Sequence, residues 1–174
     1  MIDPVQSNAL SLLRTSLGTG GIARLRIDGE SMRPTLRMGD IVILQSFPVN
    51  RLRIGDLLVM QRGNDLVTHR LVAVRADGWY TKGDASTTLD TPASDSMILG
   101  RVEAIERGGS SWSTQTKSWM ILNRFIGWLA WQEVMGYRNY RQLIGEPGVE
   151  IKWWARLLVI PFRLPLWLLA AFRR

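Results

Sequence analysis

The sequence predicts a mostly β fold, a folded or barrel-like sheet, followed by a helical C-terminal segment. Between residues 22 and 105, short β-branched runs alternate with Gly, Asp and Pro, as expected for a sheet of short strands. From residue 109 onward, tryptophan and basic residues dominate the chain instead. The change in composition predicts a lead-in over 1–21, a β domain over 22–108 and a tail over 109–174.

The first predicted element is a short amphipathic helix in the lead-in, ended by Gly18, Gly20 and Gly21. Its apolar residues are Ala9, Leu10, Leu12, Leu13 and Leu17. The lead-in has neither the basic start nor the apolar run of a secretory signal, so no such signal is predicted.

Six short strands are predicted in the β domain. The first alternates polar and apolar residues with the period of two that a half-buried strand has, and the next two each follow a Gly-Asp turn. The predicted ranges are 22–27, 40–44, 56–60, 66–74, 78–81 and 99–105. The polar stretch 107–111 is predicted to be a linker between the sheet and the tail.

The tail begins with a dense apolar stretch at 119–131, which Asn123 and Arg124 interrupt and which is too short to span a bilayer as a straight helix. Residues 132–150 are polar and moderately helical. In 151–172, prolines and basic residues interrupt an apolar run, which favours an element lying in a membrane interface. The alternative for this last segment is a core helix that caps the β domain, and whether the tail spans or lies on the bilayer stays open.

The net charge of +7 is concentrated in the tail. Residues 1–108 hold 13 Lys and Arg against 12 Asp and Glu, whereas residues 109–174 hold 9 against 3. Seven of the eight tryptophans also follow residue 111. Tryptophan and cations together suit an anionic membrane surface. Nucleic acid is disfavoured as a partner, because leucine, isoleucine and tryptophan separate the basic residues.

Cysteine is absent and His69 is the single histidine. The absence of cysteine excludes disulfides, thiol catalysis and cysteine-ligated metals. One histidine cannot form the multi-histidine sites typical of catalytic zinc. These counts disfavour a cysteine- or histidine-ligated metal, and serine–histidine–carboxylate chemistry, for which the chain has the residue types, requires neither a metal nor an organic cofactor.

Two short segments supply residue types that catalysis by an activated serine requires. Residues 29–36 read Gly-Glu-Ser-Met-Arg-Pro-Thr-Leu and lead into a Gly-Asp pair. Residues 55–71 contain Gly-Asp-Leu-Leu-Val-Met and then Val-Thr-His-Arg-Leu, so that 38 positions separate Ser31 from His69. A serine hydroxyl is a weak nucleophile until a neighbouring base takes its proton, and the lone histidine is the candidate base.

A third segment supplies candidate carboxylates. Residues 80–86 read Tyr-Thr-Lys-Gly-Asp-Ala-Ser, and Asp90 lies six positions beyond Asp84. A catalytic imidazole needs a carboxylate that presents its correct nitrogen to the serine and stabilises the positive charge that forms.

In this order the three segments resemble motifs of the signal peptidase I family of serine peptidases. The family pattern is Ser-Met-x-Pro-Thr with a following Gly-Asp, a base in the next segment, and Lys-Gly-Asp. Histidine as the base is similar to the endoplasmic-reticulum and archaeal branch, whereas bacterial members and self-cleaving repressors use lysine. The resemblance covers about 22–105 and implies a LexA-like folded β-sheet that cleaves a signal, leader or precursor peptide. It also implies small residues at the first and third positions before the cleaved bond.

The resemblance assigns a role to each candidate residue. Ser31 is implied as the nucleophile, with Met32 packed beneath it and its own backbone N–H as an oxyanion donor. His69 is implied as the general base. Asp90 is implied as the third member of the triad and Asp84 as a residue that organises the site, although Asp84 as the direct partner of His69 stays an open alternative.

Departures from the family pattern leave other readings open. Gly29 and Ala85 stand where serine and asparagine are common, and the hydrophobic helix that precedes the nucleophile in typical members is not seen. We therefore expect the tail to attach the protein to a bacterial or archaeal plasma membrane, on either face. A catalytically silent membrane-bound scaffold and a self-cleaving repressor are the alternative functions. Oligomeric state is not predicted.

Overall fold

A computed structural model describes the backbone of residues 4–144 and the side chains of residues 11–136. In this part of the chain, seven strands lie between two α-helices, and two short 3₁₀ segments interrupt the loops. The elements are α1 (Pro4–Gly18), β1 (Ile22–Arg26), β2 (Ile41–Gln45), β3 (Leu57–Arg62), β4 (Asp65–Arg75), β5 (Gly78–Lys82), β6 (Ile98–Arg107), β7 (Ser110–Ser113) and α2 (Lys117–Ile144), with 3₁₀ segments at Val49–Arg51 and Asp95–Met97.

All seven strands belong to one antiparallel sheet with the order β1-β2-β6-β3-β4-β5. The long strand β6 is shared, because its first half pairs with β3 and its second half pairs with β7 on the same side. Within the described residues the sheet is open, with β1 and β5 at its edges. The predicted mostly β class is confirmed, and over the described residues the sheet stays open and does not close into a barrel.

Strand β3 separates two buried apolar clusters. Its side chains alternate, so that Leu57 and Val59 join the larger cluster, while Leu58 and Met60 join a smaller one with Leu71. Helix α1 and the start of α2 cover the larger cluster. Both faces of β3 are therefore buried, which explains why residues 57–60 are continuously apolar rather than alternating.

The predicted helix and all six predicted strands are present, with ends that differ by at most two residues for the strands. The predicted linker at 107–111 is wrong, because β7 occupies its second half and continues the sheet to Ser113. Gly108 and Gly109 have φ values of 55° and 82°, which only glycine adopts easily. Two such residues form the tight hairpin turn whose twist suits antiparallel strands, so the polar stretch folds back on β6.

Helix α2 is continuous where the sequence suggested an apolar stretch and a separate polar one. It packs on β4 and β5, where the Trp131 ring meets Tyr80 edge-on and lies under the Arg75 guanidinium. Its backbone also contacts Gly55, where a Cβ atom would lie 2.3 Å from the Asn123 carbonyl oxygen. Glycine at this position therefore allows the helix to approach the β2–β3 connection.

None of the helices in the described part of the chain combines the length and the apolar character needed to cross a bilayer. The segment at 151–172, predicted to lie in a membrane interface, is outside the described residues.

Candidate active site

Ser31 lies in the turn-rich connection between β1 and β2. Its side chain is exposed, whereas the next side chain, Met32, is buried in the larger core cluster and holds the turn against the sheet. The Leu36 N–H donates to the Met32 carbonyl at 3.0 Å, and the Ala85 N–H donates to the Ser31 carbonyl at 2.8 Å. The backbone of Ser31 is thus fixed from two sides, although the residue itself is exposed.

His69 places its imidazole between Ser31 and Asp90. It lies in the middle of β4, paired with Leu58 of β3, so its backbone is part of the sheet. Its Nε2 is 3.0 Å from Ser31 Oγ, and its Nδ1 is 2.6 Å from Asp90 Oδ2. Because an ionised carboxylate only accepts hydrogen bonds, the proton sits on Nδ1, and the Nε2 lone pair faces the serine hydroxyl.

Asp90 is held in the loop after β5 by its neighbours. Its backbone N–H donates to the Thr81 carbonyl at 3.0 Å, and the Thr81 hydroxyl donates to Asp90 Oδ2 at 2.6 Å. The Arg62 guanidinium lies 3.9 Å from the same oxygen. The His69 N–H, the Thr81 hydroxyl and a nearby cation therefore converge on Asp90 Oδ2, the oxygen atom that orients the imidazole.

The environment keeps Asp90 ionised. Burial raises the pKa of this carboxyl, but the hydrogen bonds from His69 and Thr81, together with the electrostatic effects of His69 and Arg62, lower it by more. The balance places the pKa of Asp90 below its ordinary value of 3.8. A permanent carboxylate charge can stabilise an imidazolium next to it, as a general base requires.

Asp84 binds Arg70 instead of His69. Arg70 Nε and Nη2 donate to the two Asp84 carboxylate oxygens at 2.8 Å each, in a bidentate pair. The Thr35 hydroxyl, four residues after the nucleophile, donates to Asp84 Oδ2 at 2.5 Å. The sequence left both Asp84 and Asp90 open as the partner of His69. The geometry places Asp90 on the histidine and Asp84 behind the turn at residues 31–35, the nucleophile turn.

Arg70 has a complete set of partners although it is fully buried. Besides Asp84, its Nη1 donates to the Gly55 carbonyl at 3.0 Å and to Asn123 Oδ1 at 2.7 Å, and its Nη2 donates to Thr35 Oγ1 at 3.2 Å. A guanidinium has five N–H donors, and these contacts match all five. Arg70, the residue after His69, therefore connects the nucleophile turn, the β2–β3 connection and helix α2 through its hydrogen bonds.

A second buried ion pair connects α2 to the site. Lys82 Nζ donates to Glu133 Oε2 at 2.9 Å, and both side chains are buried. The ammonium is therefore bound to the helix and is not directed at Ser31.

Ser31 and His69 line a cavity of about 680 Å³. The cavity lies between two segments of the chain. One is residues 25–29, the end of β1 and the residues that follow it, and the other is residues 64–68, at the start of β4. Apolar side chains form most of its wall, and the lining includes Leu13, Leu25, Ile27, Met32, Leu66 and Val67. A cleft between two extended segments fits an extended peptide, with its backbone parallel to the walls.

Several site residues were missed by the reasoning from sequence. Thr81 and Arg62 bind Asp90, and no local pattern connects them to it. Asn123 carried a usable signal, because it is a polar residue inside the apolar stretch 119–131. Glu133 carried another, because it is the single acid in the sequence of α2. A polar residue on the inner face of an apolar helix normally has a buried partner.

Gly83 is expected to tolerate no side chain. A Cβ atom there would lie 2.7 Å from the Ser31 carbonyl oxygen and 3.1 Å from His69 Nε2. For the peptide hydrolysis that the sequence predicts, Gly83→Ala should move Ser31 Oγ relative to His69 Nε2 and lower the cleavage rate about 100-fold, the cost typical of a small misplacement of reacting groups. Steady-state kinetics with the best-cleaved peptide would measure the change.

Gly18→Ala is the matched control for this substitution, since a Cβ atom at Gly18 has no neighbour within 4 Å. Wild-type kinetics for Gly83→Ala, with the fold retained, would mean that the Ser31 carbonyl can shift without disturbing the hydroxyl.

In the described residues, His, Asp and Glu form no group of three or more that could hold a metal ion. Comparison with known families finds no family model that matches the chain. A search of curated proteins likewise finds no match.

Proposed function

We propose that this chain is a serine endopeptidase of the signal peptidase I type. One observation carries the proposal: the continuous hydrogen-bond chain from Ser31 Oγ through both nitrogens of His69 to Asp90, at 3.0 and 2.6 Å. The order of serine, base and acid along this chain is the order that proton transfer in a serine peptidase requires. The proposal includes a signal-peptidase and LexA-like relationship for the folded sheet.

In the proposed reaction, Ser31 Oγ attacks the carbonyl carbon of the scissile peptide bond while its proton moves to His69 Nε2. The negative charge then forms on the carbonyl oxygen, for which the Ser31 backbone N–H is the candidate donor. The tetrahedral intermediate collapses, the imidazolium protonates the leaving amine, and an acyl-serine remains. Water, activated by the neutral imidazole, then releases the acid and restores Ser31.

The proposed substrate is an extended segment of a signal, leader or precursor peptide. The mostly apolar wall of the cleft and its position between two extended segments support this class. Small residues before the cleaved bond are part of the proposal, as is the attachment of the protein to a plasma membrane through residues 109–174.

The test is covalent labelling of the full chain with a peptidyl phosphonate that carries alanine at the first and third positions. We expect one adduct by intact mass, mapped to Ser31, in the wild type and none in Ser31→Ala or His69→Ala. Ser46→Ala, at an exposed serine away from the cavity, is the control and should be labelled like the wild type.

A peptide library with the same alanine pattern gives the second readout. Cleavage that disappears with Ser31→Ala supports the peptidase. A folded wild-type protein that is neither labelled nor cleaves any member contradicts it and favours the silent scaffold. Cleavage of the chain itself, without cleavage of added peptides, favours the self-cleaving alternative.

A further inference from the structure

The outer side of α2 exposes large apolar side chains. Ile121, Phe125 and Trp128 are 70%, 47% and 52% exposed. At 3.6 residues per turn, these positions share one arc of the helix, opposite the buried Trp119, Ile126 and Ala130. The rings of Phe125 and Trp128 are stacked, with centroids 6.1 Å apart. Ile54, which contacts the helix at Gly127, is also 41% exposed and extends this apolar area.

Cations surround these apolar side chains. Lys117 and Arg124 lie on the same arc of α2, and the neighbouring Arg51 and Arg53 are exposed on the β2–β3 connection. All four line one depression of about 800 Å³ next to Ile54 and Ile121. The one carboxylate in its described lining is Asp56, which has Arg101 3.9 Å away and accepts a hydrogen bond from the Arg53 N–H.

The acid of α2 is on the other side of the helix. Glu133 is the single acidic residue of α2, and it is buried against Lys82. Over residues 117–136, whose side chains the structure describes, the outer side of the helix therefore carries no negative charge. A solvated helix normally mixes both signs on its outer side, so large apolar side chains with cations alone indicate a partner.

The structure points to a specific use of this surface. We propose that Ile54, Ile121, Phe125 and Trp128, with Arg51, Arg53, Lys117 and Arg124, form a docking face for an anionic lipid bilayer. The aromatic and aliphatic side chains enter the interface at headgroup depth, and the cations bind lipid phosphates. The docking face is preformed, because close contact of Gly127 with Gly55 fixes α2 on the β2–β3 connection.

The charge pattern favours lipid over two other occupants. A second copy would bring its own cations against those of the first. The C-terminal segment of the same chain has the same difficulty, since Lys152, Arg156 and Arg163 interrupt its apolar run. An anionic bilayer neutralises the cations of the docking face and of that segment together. The inference rests on the membrane attachment proposed for residues 109–174 and specifies its surface, but it does not depend on peptide cleavage, because it concerns binding.

The test is sedimentation of the full chain with vesicles of phosphatidylcholine alone or mixed with phosphatidylglycerol. We expect the wild type to sediment with the anionic vesicles. Phe125→Ser/Trp128→Ser should lower the partition coefficient at least about tenfold, because two interfacial aromatics are lost. Arg53→Glu/Arg124→Glu should lower it similarly on anionic vesicles alone, because reversal of charge acts through lipid phosphate.

Ile22→Ser is the matched control, since Ile22 is 65% exposed but lies in β1, outside the docking face. Far-UV circular dichroism checks that each variant is folded. Equal binding of wild type and both folded double variants overturns the proposal, as does absence of wild-type binding to anionic vesicles. A wild-type dimer that Phe125→Ser/Trp128→Ser converts to a monomer, without change in vesicle binding, also overturns it in favour of a second copy.

Discussion

Replacing Asp90 with asparagine is expected to lower the rate of peptide cleavage by about four orders of magnitude. Asp90 Oδ2 accepts a hydrogen bond from the Nδ1–H of His69, with 2.6 Å between the oxygen and the nitrogen. The proton stays on Nδ1, and the Nε2 lone pair is therefore free to take the serine proton. An asparagine can offer its amide N–H to Nδ1 instead, and the imidazole proton then moves to Nε2. In that tautomer His69 cannot take the proton from Ser31. The carboxylate that would stabilise the imidazolium is also lost.

The measurement is kcat with the best-cleaved library peptide, together with the urea unfolding curve of each variant. Asp95→Asn is the matched control, because Asp95 accepts a hydrogen bond from the Trp79 indole at 2.6 Å but lies outside the site. The control should cleave at nearly the wild-type rate. An Asp90→Asn protein that is folded and fully active would remove Asp90 from the proposed mechanism.

The same variant has an expected pH dependence of stability. The pKa of Asp90 lies below 3.8 in the folded protein, so ionisation of this carboxyl favours folding. Its contribution to stability is complete well above pH 3.8, and it is lost as the pH falls through the lower pKa of the folded state. The difference in unfolding free energy between wild type and Asp90→Asn should therefore narrow in acid. A difference that stays constant from neutral to acidic pH would contradict the pKa shift.

The sequence was sufficient for the strands of the sheet and for the candidate serine, histidine and aspartates. Alternation and Gly-Asp turns are local features, and the strand ends followed from them. Local sequence features could not decide whether Asp84 or Asp90 binds His69. The choice depends on Thr81, which binds Asp90 through both its carbonyl and its hydroxyl, and on Arg70, which occupies both oxygens of Asp84.

One error and one omission have a common cause. The stretch 107–111 was interpreted by its polarity, although Gly108 and Gly109 form a hairpin turn there. No buried partners were predicted for Asn123, inside the apolar stretch 119–131, or for Glu133, just beyond it. Both side chains lie on the buried side of α2 and bind Arg70 and Lys82, partners 53 and 51 positions away. Average composition carries no information on which face of an element a residue occupies, and periodicity does.

Replacing Arg70 with methionine is expected to lower the free energy of unfolding by about 3–5 kcal/mol, the usual cost of breaking a buried ion pair. The Asp84 side chain is 1% exposed and would keep its charge without a counterion. Asn123 Oδ1 and the Gly55 carbonyl would lose their donors as well. The urea midpoint at constant m value measures the loss.

A double variant separates the unpaired charge from the loss of packing. Arg70→Met/Asp84→Leu removes both charges and leaves no unpaired buried carboxylate, so it should be more stable than Arg70→Met alone. Arg24→Ala is the control, since the Arg24–Glu106 pair is exposed and its loss should cost about 0–1 kcal/mol. If Arg70→Met cost no more than Arg24→Ala, the buried cluster would not stabilise the fold. Because Thr35 contacts both Arg70 and Asp84, we also expect the stable double variant to cleave more slowly than wild type, through a looser nucleophile turn.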